Sequence, residues 1–220
     1  MEDHFEGVKT GMAGNEDISL RIKRFISNQK HGILIMSIGF VLFVVIYKTI
    51  GFYYGINDDT TMQSLASGSI TGAPDGHLPF ILYPFGLTVS ALFKVFPQID
   101  WYGLSLVGLL FLCYGLISYR LIVGQNEEYA PDIRIRIMGM VVVAALILDS
   151  GILFQFTITS GVLASTAVFL IASSYEPSLK DWCLSWVLLI IAAIIRQKVF
   201  YMAFPLLVVL FAGRIVSKLT

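Results

Sequence analysis

The sequence predicts an all-α protein, a polytopic membrane bundle of about six transmembrane helices with one interfacial juxtamembrane helix. Two observations predict this fold class. Of the 220 residues, 56% are hydrophobic and 14% are charged, whereas about 25% of the residues of a soluble domain are charged. The apolar residues also come in long blocks separated by short polar segments, as helices in a bilayer do. The net charge is zero, so no electrostatic field indicates a nucleic-acid partner.

The N-terminal part of the chain predicts a tail followed by a first span. Residues 1–31 are polar and charged. Within them, residues 16–28 carry apolar side chains at mostly helical spacing, which predicts a short amphipathic helix on the membrane surface. Residues 32–56 are long enough to cross the hydrocarbon core, and Lys48 can extend its ammonium group to the interface.

The other helices follow from the remaining apolar blocks. Residues 81–96 are short and contain Pro84 in the first turn, so a helix over 83–96 is predicted to lie along the membrane surface. Further spans are predicted at 101–119, at 137–152, at 153–172, and on each side of Arg196-Gln197-Lys198 within 182–213. A single long helix over 182–213 is the alternative there, because each half has only about 15 residues, below the usual range for a span.

The basic residues predict the orientation of the chain in the cytoplasmic membrane. With 83–96 on the surface, the positive-inside rule places the N-terminus and the polar segment 120–136 inside. The chain then divides into a cytoplasmic tail (1–31), a transmembrane domain (32–213) whose outer loop (57–100) carries an acidic motif, and a cytoplasmic end (214–220). Arg196 and Lys198 are the exception, because they fall on the outer side.

Asp58 and Asp59 are the first candidate site. Adjacent carboxylates at the edge of a bilayer repel each other, which raises the pKa of one of them. They suit a general base, and a divalent metal ion held by the pair is an open alternative. The competing interpretation is a helix start with Asn57 or Asp58 as N-cap and a solvated acid in the first turn.

Two further groups of polar residues are candidates. Asp75 and His77 lie in a glycine-rich outer segment that could line a polar pocket, although Pro-Asp-Gly is also turn chemistry. Arg196 and Lys198 could hold a lipid phosphate by charge-assisted hydrogen bonds, or could simply reach the headgroups. Asp149 is more simply explained as a cap at a turn. No second histidine stands at a metal-ligand spacing, so no zinc site is predicted.

The order of these parts resembles the integral-membrane glycosyltransferases of the GT-C fold. The resemblance rests on an NDD…SG…TG.P.GH…YP.G pattern. In this sequence it comprises Asn57-Asp58-Asp59, Ser67-Gly68, Thr71-Gly72, Pro74, Gly76-His77, Tyr83-Pro84 and Gly86. The segments FQFTITSGVLASTAVFLI and IIRQKVFYMAFPLL are similar to the middle helices of the family.

The resemblance implies an inverting transferase that moves a sugar from a polyprenyl-phosphate carrier to an acceptor at the outer face. By position in the motif, Asp58 and Asp59 would be catalytic. Asp75, His77 and Tyr83 would contact substrate, and Arg196 and Lys198 would hold the carrier phosphate.

Family members usually run to 400 residues or more, so the chain is expected to be an N-terminal half. A second polypeptide could complete the fold. The alternative function is a non-catalytic membrane protein, such as a lipid-glycan transporter or an assembly partner.

Overall fold

The computed structural model describes residues 34, 37–42, 44–49, 51, 53–123, 132–150, 152–174 and 176–219. The predicted tail, with its amphipathic helix, lies outside these residues. Eight helices and two short strands follow one another along the chain: α1 (Ser37–Thr49), β1 (Tyr53–Tyr54), α2 (Asn57–Ser67), α3 (Tyr83–Val95), α4 (Trp101–Val123), α5 (Ile133–Ser150), β2 (Leu153–Phe154), α6 (Phe156–Ala172), α7 (Leu179–Ile195) and α8 (Gln197–Leu219).

The all-α class is confirmed, because within the described part of the chain every regular element apart from the two-residue strands is a helix. Among the described residues, one helical segment, Trp101–Ile122, is long and apolar enough to cross a membrane by itself. Three shorter apolar helices, Ser37–Thr49, Phe156–Ala172 and Gln197–Gly213, fall below that length. The number of spans therefore stays a prediction.

Two predicted helix boundaries are confirmed. The helix that begins at Tyr83 has Pro84 in its first turn, where a missing N–H costs nothing. The chain also breaks at Arg196, whose extended backbone (φ −153°, ψ 104°) separates α7 from α8. The alternative of one long helix over 182–213 is therefore wrong.

Arg120 does not belong to the polar segment in which the sequence placed it. It lies in the last turn of α4 and is buried. Its guanidinium group donates to the hydroxyls of Ser173 and Ser174 and lies 3.6 Å from an Asp181 carboxylate oxygen. The apolar block of α4 simply continues past residue 119, and a paired arginine can end it because its charge is compensated.

Two predicted caps are also wrong. The N-cap of α2 is Ile56, with no side-chain hydrogen bond, so neither Asn57 nor Asp58 is the N-cap, although the aspartates do stand in the first turn as that interpretation expected. Asp149 is part of helix α5, which continues to Ser150.

A two-residue parallel strand pair holds the start of α2 beside the start of α6. Tyr53 pairs with Leu153 and Tyr54 with Phe154. The Tyr53 N–H donates to Ile152 O at 3.0 Å and the Gly55 N–H to Phe154 O at 2.8 Å. Because α2 follows β1 and α6 follows β2 almost at once, this pairing fixes the first turns of both helices next to each other.

Helix α6 forms the centre of the bundle and contacts α4, α7 and α8. Its inward face combines large and small side chains, among them Leu163, Ala164 and Ala167, all buried. The Ser160 hydroxyl donates to Ala192 O of α7 at 2.8 Å. Small residues of this kind let helix backbones approach closely.

Glycines allow the segment between α2 and α3 to fold against α3. Gly68 ends α2 in a left-handed backbone conformation (φ 82°), which residues with a Cβ rarely adopt. A Cβ on Gly86 would stand 2.1 Å from Gly76 O. This contact brings residues 75–78 against the first turn of α3.

Candidate functional site

Asp59 is a buried carboxylate held between two helices. Its Oδ1 accepts a hydrogen bond from the Tyr102 hydroxyl at 2.8 Å and from the Phe156 N–H at 3.1 Å. Its Oδ2 is also buried and has no hydrogen-bond partner. Burial raises the pKa of the Asp59 carboxyl, the two hydrogen bonds lower it, and neighbouring Asp58 raises it again; the net direction is upward.

The carboxylate of Asp59 caps helix α6 from outside that helix. The residue at the N-cap position of α6, Gln155, makes no side-chain cap hydrogen bond. The first N–H of the helix, that of Phe156, instead donates to Asp59. A negative charge at a helix N-terminus is stabilised by the helix dipole.

Asp58 has the opposite environment from its neighbour. It stands one residue earlier in the first turn of α2 and is exposed to solvent. Consecutive helical residues point about 100° apart, so one carboxylate faces the protein and the other faces away. The structure therefore divides the predicted pair into one accessible acid and one buried acid.

The Arg196 guanidinium group lies over the ring of Phe156, the residue whose N–H donates to Asp59. Its guanidinium carbon is 4.8 Å from the centre of the Phe156 ring and 6.0 Å from that of Phe80. The two rings are stacked, with centres 6.3 Å apart. A guanidinium over aromatic faces is held by cation–π attraction, and its edge donors stay available for an anion.

Phe80 supports Arg196 from a backbone conformation that is uncommon for a bulky side chain. Its φ is 65°, and its ring is 68% exposed. Strain of this kind persists where surrounding contacts fix it, and it is concentrated at functional sites.

Asp75, His77 and Tyr83 form one exposed cluster. An Asp75 carboxylate oxygen accepts from the His77 N–H at 2.9 Å and lies 2.8 Å from His77 Nδ1. These contacts hold the pKa of the Asp75 carboxyl below its usual range. The His77 ring packs on the Tyr83 ring, with centres 4.7 Å apart.

A backbone hydrogen bond joins the residue before Tyr83 to the end of α7, two residues before Arg196. The N–H of Leu82, next to Tyr83, donates to Ile194 O at 2.8 Å. Most sequence-predicted residues thus gather at the end of the bundle formed by the start of α6 and the end of α7. Lys198 lies exposed in the first turn of α8, and its ammonium group makes no contact with the others among the described residues.

Five residues in or next to the site were not predicted from the sequence: Phe80, Phe156, Tyr102, Tyr54 and Asp100. Phe156 links Asp59 to Arg196, and Tyr102 donates to Asp59. The Tyr54 hydroxyl donates to Asp100 Oδ2, and burial raises the pKa of Tyr54. The sequence predicts a span that begins at residue 101, but nothing in it indicates that the Tyr102 side chain reaches α2.

The chain matches no protein-family model, no curated protein and no solved structure.

A divalent metal ion held by Asp58 and Asp59 stays a prediction, and the arrangement of the two carboxylates gives it little support. The described residues contain no group of three His, Cys, Asp or Glu side chains that could hold a metal. Divalent cations prefer six or more oxygen ligands, yet one aspartate is exposed and Asp59 Oδ1 already accepts two hydrogen bonds.

Proposed function

We propose that the chain is a membrane glycosyltransferase of the GT-C type, or the N-terminal part of one. It would transfer a sugar from a polyprenyl-phosphate carrier to a cell-surface glycan or lipid acceptor at the outer face. One observation carries the proposal: Phe156 joins the acidic motif to a cation, because its N–H binds Asp59 and its ring lies under Arg196. A transfer from a lipid phosphate needs both an acid-base group and a phosphate-binding group.

The surface of the bundle supports a membrane location. Large apolar side chains are more than half exposed along α5 and α8, including Ile137, Met138, Val141, Tyr201, Met202 and Val209. On a soluble protein, exposed apolar surface of this kind would cause the molecules to associate with one another. In a bilayer it faces lipid, and the short helices α6, α7 and α8 would cross together with α4 as parts of a six-span bundle.

Within this proposal the exposed acid is the catalytic base and the buried acid is a positioning residue. Asp58 takes the proton of an acceptor hydroxyl, whose oxygen attacks the anomeric carbon of the carrier-bound sugar. The bond from that carbon to the phosphate oxygen breaks, and the phosphate leaves with the electron pair. Arg196, with Lys198 nearby in sequence, binds the phosphate, while Asp59 keeps α2 in place against α6.

A transfer assay tests the proposal on the full protein in membrane vesicles. The donors are polyprenyl phosphates carrying radiolabelled glucose, mannose, galactose or aminoarabinose, and the matched controls are the corresponding nucleotide sugars. We expect label to enter membrane glycan or lipid from a polyprenyl-phosphate donor and not from a nucleotide sugar supplied alone. If none of the lipid donors supports transfer above empty vesicles, the enzyme assignment is wrong.

The non-catalytic alternative has one observation in its favour. Asp59 is accounted for as a helix cap, so Asp58 is the one aspartate of the acidic pair left for chemistry, and exposed aspartates are common on any surface. A protein that only assembles with a partner would keep this cap and would transfer no sugar.

The proposed topology predicts which loops are accessible from outside the cell. Single cysteines would replace Ser69, Gln197 and Lys180 in a background in which exposed Cys183 is changed to alanine; Cys113 is buried. A membrane-impermeant maleimide should label positions 69 and 197 in intact cells, and position 180 only after permeabilisation. Labelling of position 180 in intact cells would contradict the topology.

A further inference from the structure

A cavity lies where the ends of α2 and α3 meet the start of α4, and Arg196 is not among its lining residues. Its volume is about 440 Å³, within the usual range for small-ligand pockets. Side chains that can form hydrogen bonds dominate its lining: Gln63, Ser67, Ser69, Gln98 and Asp100. Buried Phe93 contributes an apolar wall.

Ser67 and Ser69 present hydrogen-bond acceptors to this cavity. Their hydroxyl oxygens are 2.6 Å apart, and both hydroxyls also lie within hydrogen-bond distance of Ser64 O, at 3.2 and 3.3 Å. Each hydroxyl has one donor and two acceptor sites. Since the two hydrogens are used within this triangle, the free capacity of the pair consists of lone pairs, which accept from a donor such as a ligand hydroxyl.

Asp100 is fixed at the other side of the cavity. One carboxylate oxygen accepts from the Gly103 N–H at 3.1 Å and the other accepts from the Tyr54 hydroxyl. A carboxylate offers about four lone-pair sites, so two remain for a ligand. A Cβ on Gly103 would stand 2.6 Å from this carboxylate, so a larger residue at position 103 would require the carboxylate to shift.

The charge of the cavity identifies the class of ligand. Among the residues that the structure describes, no lysine, arginine or histidine lines the cavity, and Asp100 is the one charged residue in its lining. A phosphate or carboxylate would be repelled, whereas a neutral molecule with several hydroxyls would donate to the carboxylate and the serines and accept from the amides of Gln63 and Gln98. Its C–H face would lie against Phe93.

We propose that this cavity is a saccharide-binding site that recognises neutral sugar hydroxyls. The site is separate from the Asp58 and Arg196 region. The inference does not depend on glycosyl transfer, because binding alone tests it.

Saturation-transfer NMR measures this binding on the full chain in a zwitterionic detergent that has no sugar head group. The probes are the methyl glycosides of glucose, mannose, galactose and N-acetylglucosamine. Tetrahydropyran-2-methanol, a ring without the sugar hydroxyls, and inorganic phosphate, as a competitor, are controls. We expect at least one glycoside to receive saturation well above tetrahydropyran-2-methanol, and phosphate to leave that signal unchanged.

Variants locate the binding. Ser69→Ala and Gln98→Ala each remove one hydrogen-bonding group from an exposed position. Each should raise the Kd for the bound glycoside about two- to tenfold. Thr88→Ala is the matched control, because its exposed hydroxyl bonds only Pro84 O of its own helix. Absence of binding by all four glycosides, displacement by phosphate, or equal binding by wild type and both cavity variants would each overturn the proposal.

Discussion

Replacing Asp58 by asparagine should slow sugar transfer by about 10²–10⁴-fold, the usual cost of losing a general base. The amide has nearly the shape of the carboxylate, and the position is exposed, so folding should stay close to wild type. The effect should fall on kcat, because the proton is transferred in the transition state and not in donor binding. Transfer rates with a labelled polyprenyl-phosphate sugar, measured across donor concentrations, check this.

Arg196→Ala is the contrasting variant. It removes a cation from the Phe156 face without touching either carboxylate and should raise KM for the lipid donor about tenfold or more, as expected for loss of a charge-assisted hydrogen bond. Arg196→Lys should recover part of this loss, because the charge returns without the planar fork. For the first variant, a wild-type kcat in Asp58→Asn would show that Asp58 is not the general base.

The local part of the structure could be predicted from the sequence. Hydropathy and the placement of proline determine helices such as α3, whose start at Tyr83-Pro84 was expected. The polar triplet beginning at Arg196 indicated the break between α7 and α8, because charged side chains are costly within an apolar span. The resemblance also selected Asp75, His77 and Tyr83, which do contact one another.

The non-local part could not be predicted. The pairing of Tyr53 with Leu153 joins segments far apart in sequence through backbone groups, and two-residue strands leave no alternating pattern. The burial of Arg120 depends on three partners, two serines just after the end of α6 and Asp181 of α7. The different environments of Asp58 and Asp59 depend on which side of α2 faces α4 and α6, and the weakly amphipathic sequence of α2 does not indicate that side.

Asp59→Leu should be the most destabilising single change in the acidic motif. It removes the acceptor of two buried donors, the Tyr102 hydroxyl and the Phe156 N–H. A buried donor left without a partner costs about 1–3 kcal/mol, so the loss in free energy of unfolding should be about 2–5 kcal/mol. Only a long 3.7 Å contact to Met62 Sδ remains for the tyrosine. Unfolding in mixed micelles with increasing SDS measures the loss, and Asp58→Leu is the matched control, expected within about 0.5 kcal/mol of wild type.

A double-mutant cycle separates the hydrogen bond from the change in packing. Tyr102→Phe removes one of the two donors that Asp59→Leu leaves without an acceptor. The double variant Asp59→Leu with Tyr102→Phe should therefore lose less free energy of unfolding than the sum of the two single losses. Simple additivity would mean that the hydroxyl and the carboxylate do not interact in the folded protein.

Asp59→Asn should behave differently from the leucine variant, because its amide oxygen can still accept from both donors. It also removes a buried charge. Since the folded protein raises the pKa of Asp59, folding favours the protonated acid. The stability contributed by this preference is complete below the ordinary aspartate pKa of about 3.9 and is lost as the pH rises through the higher pKa of the folded state. The stability of Asp59→Asn relative to wild type should therefore increase from pH 4 toward pH 7. A difference that stays constant over this range, or that decreases, would show that the pKa of Asp59 is not raised by burial.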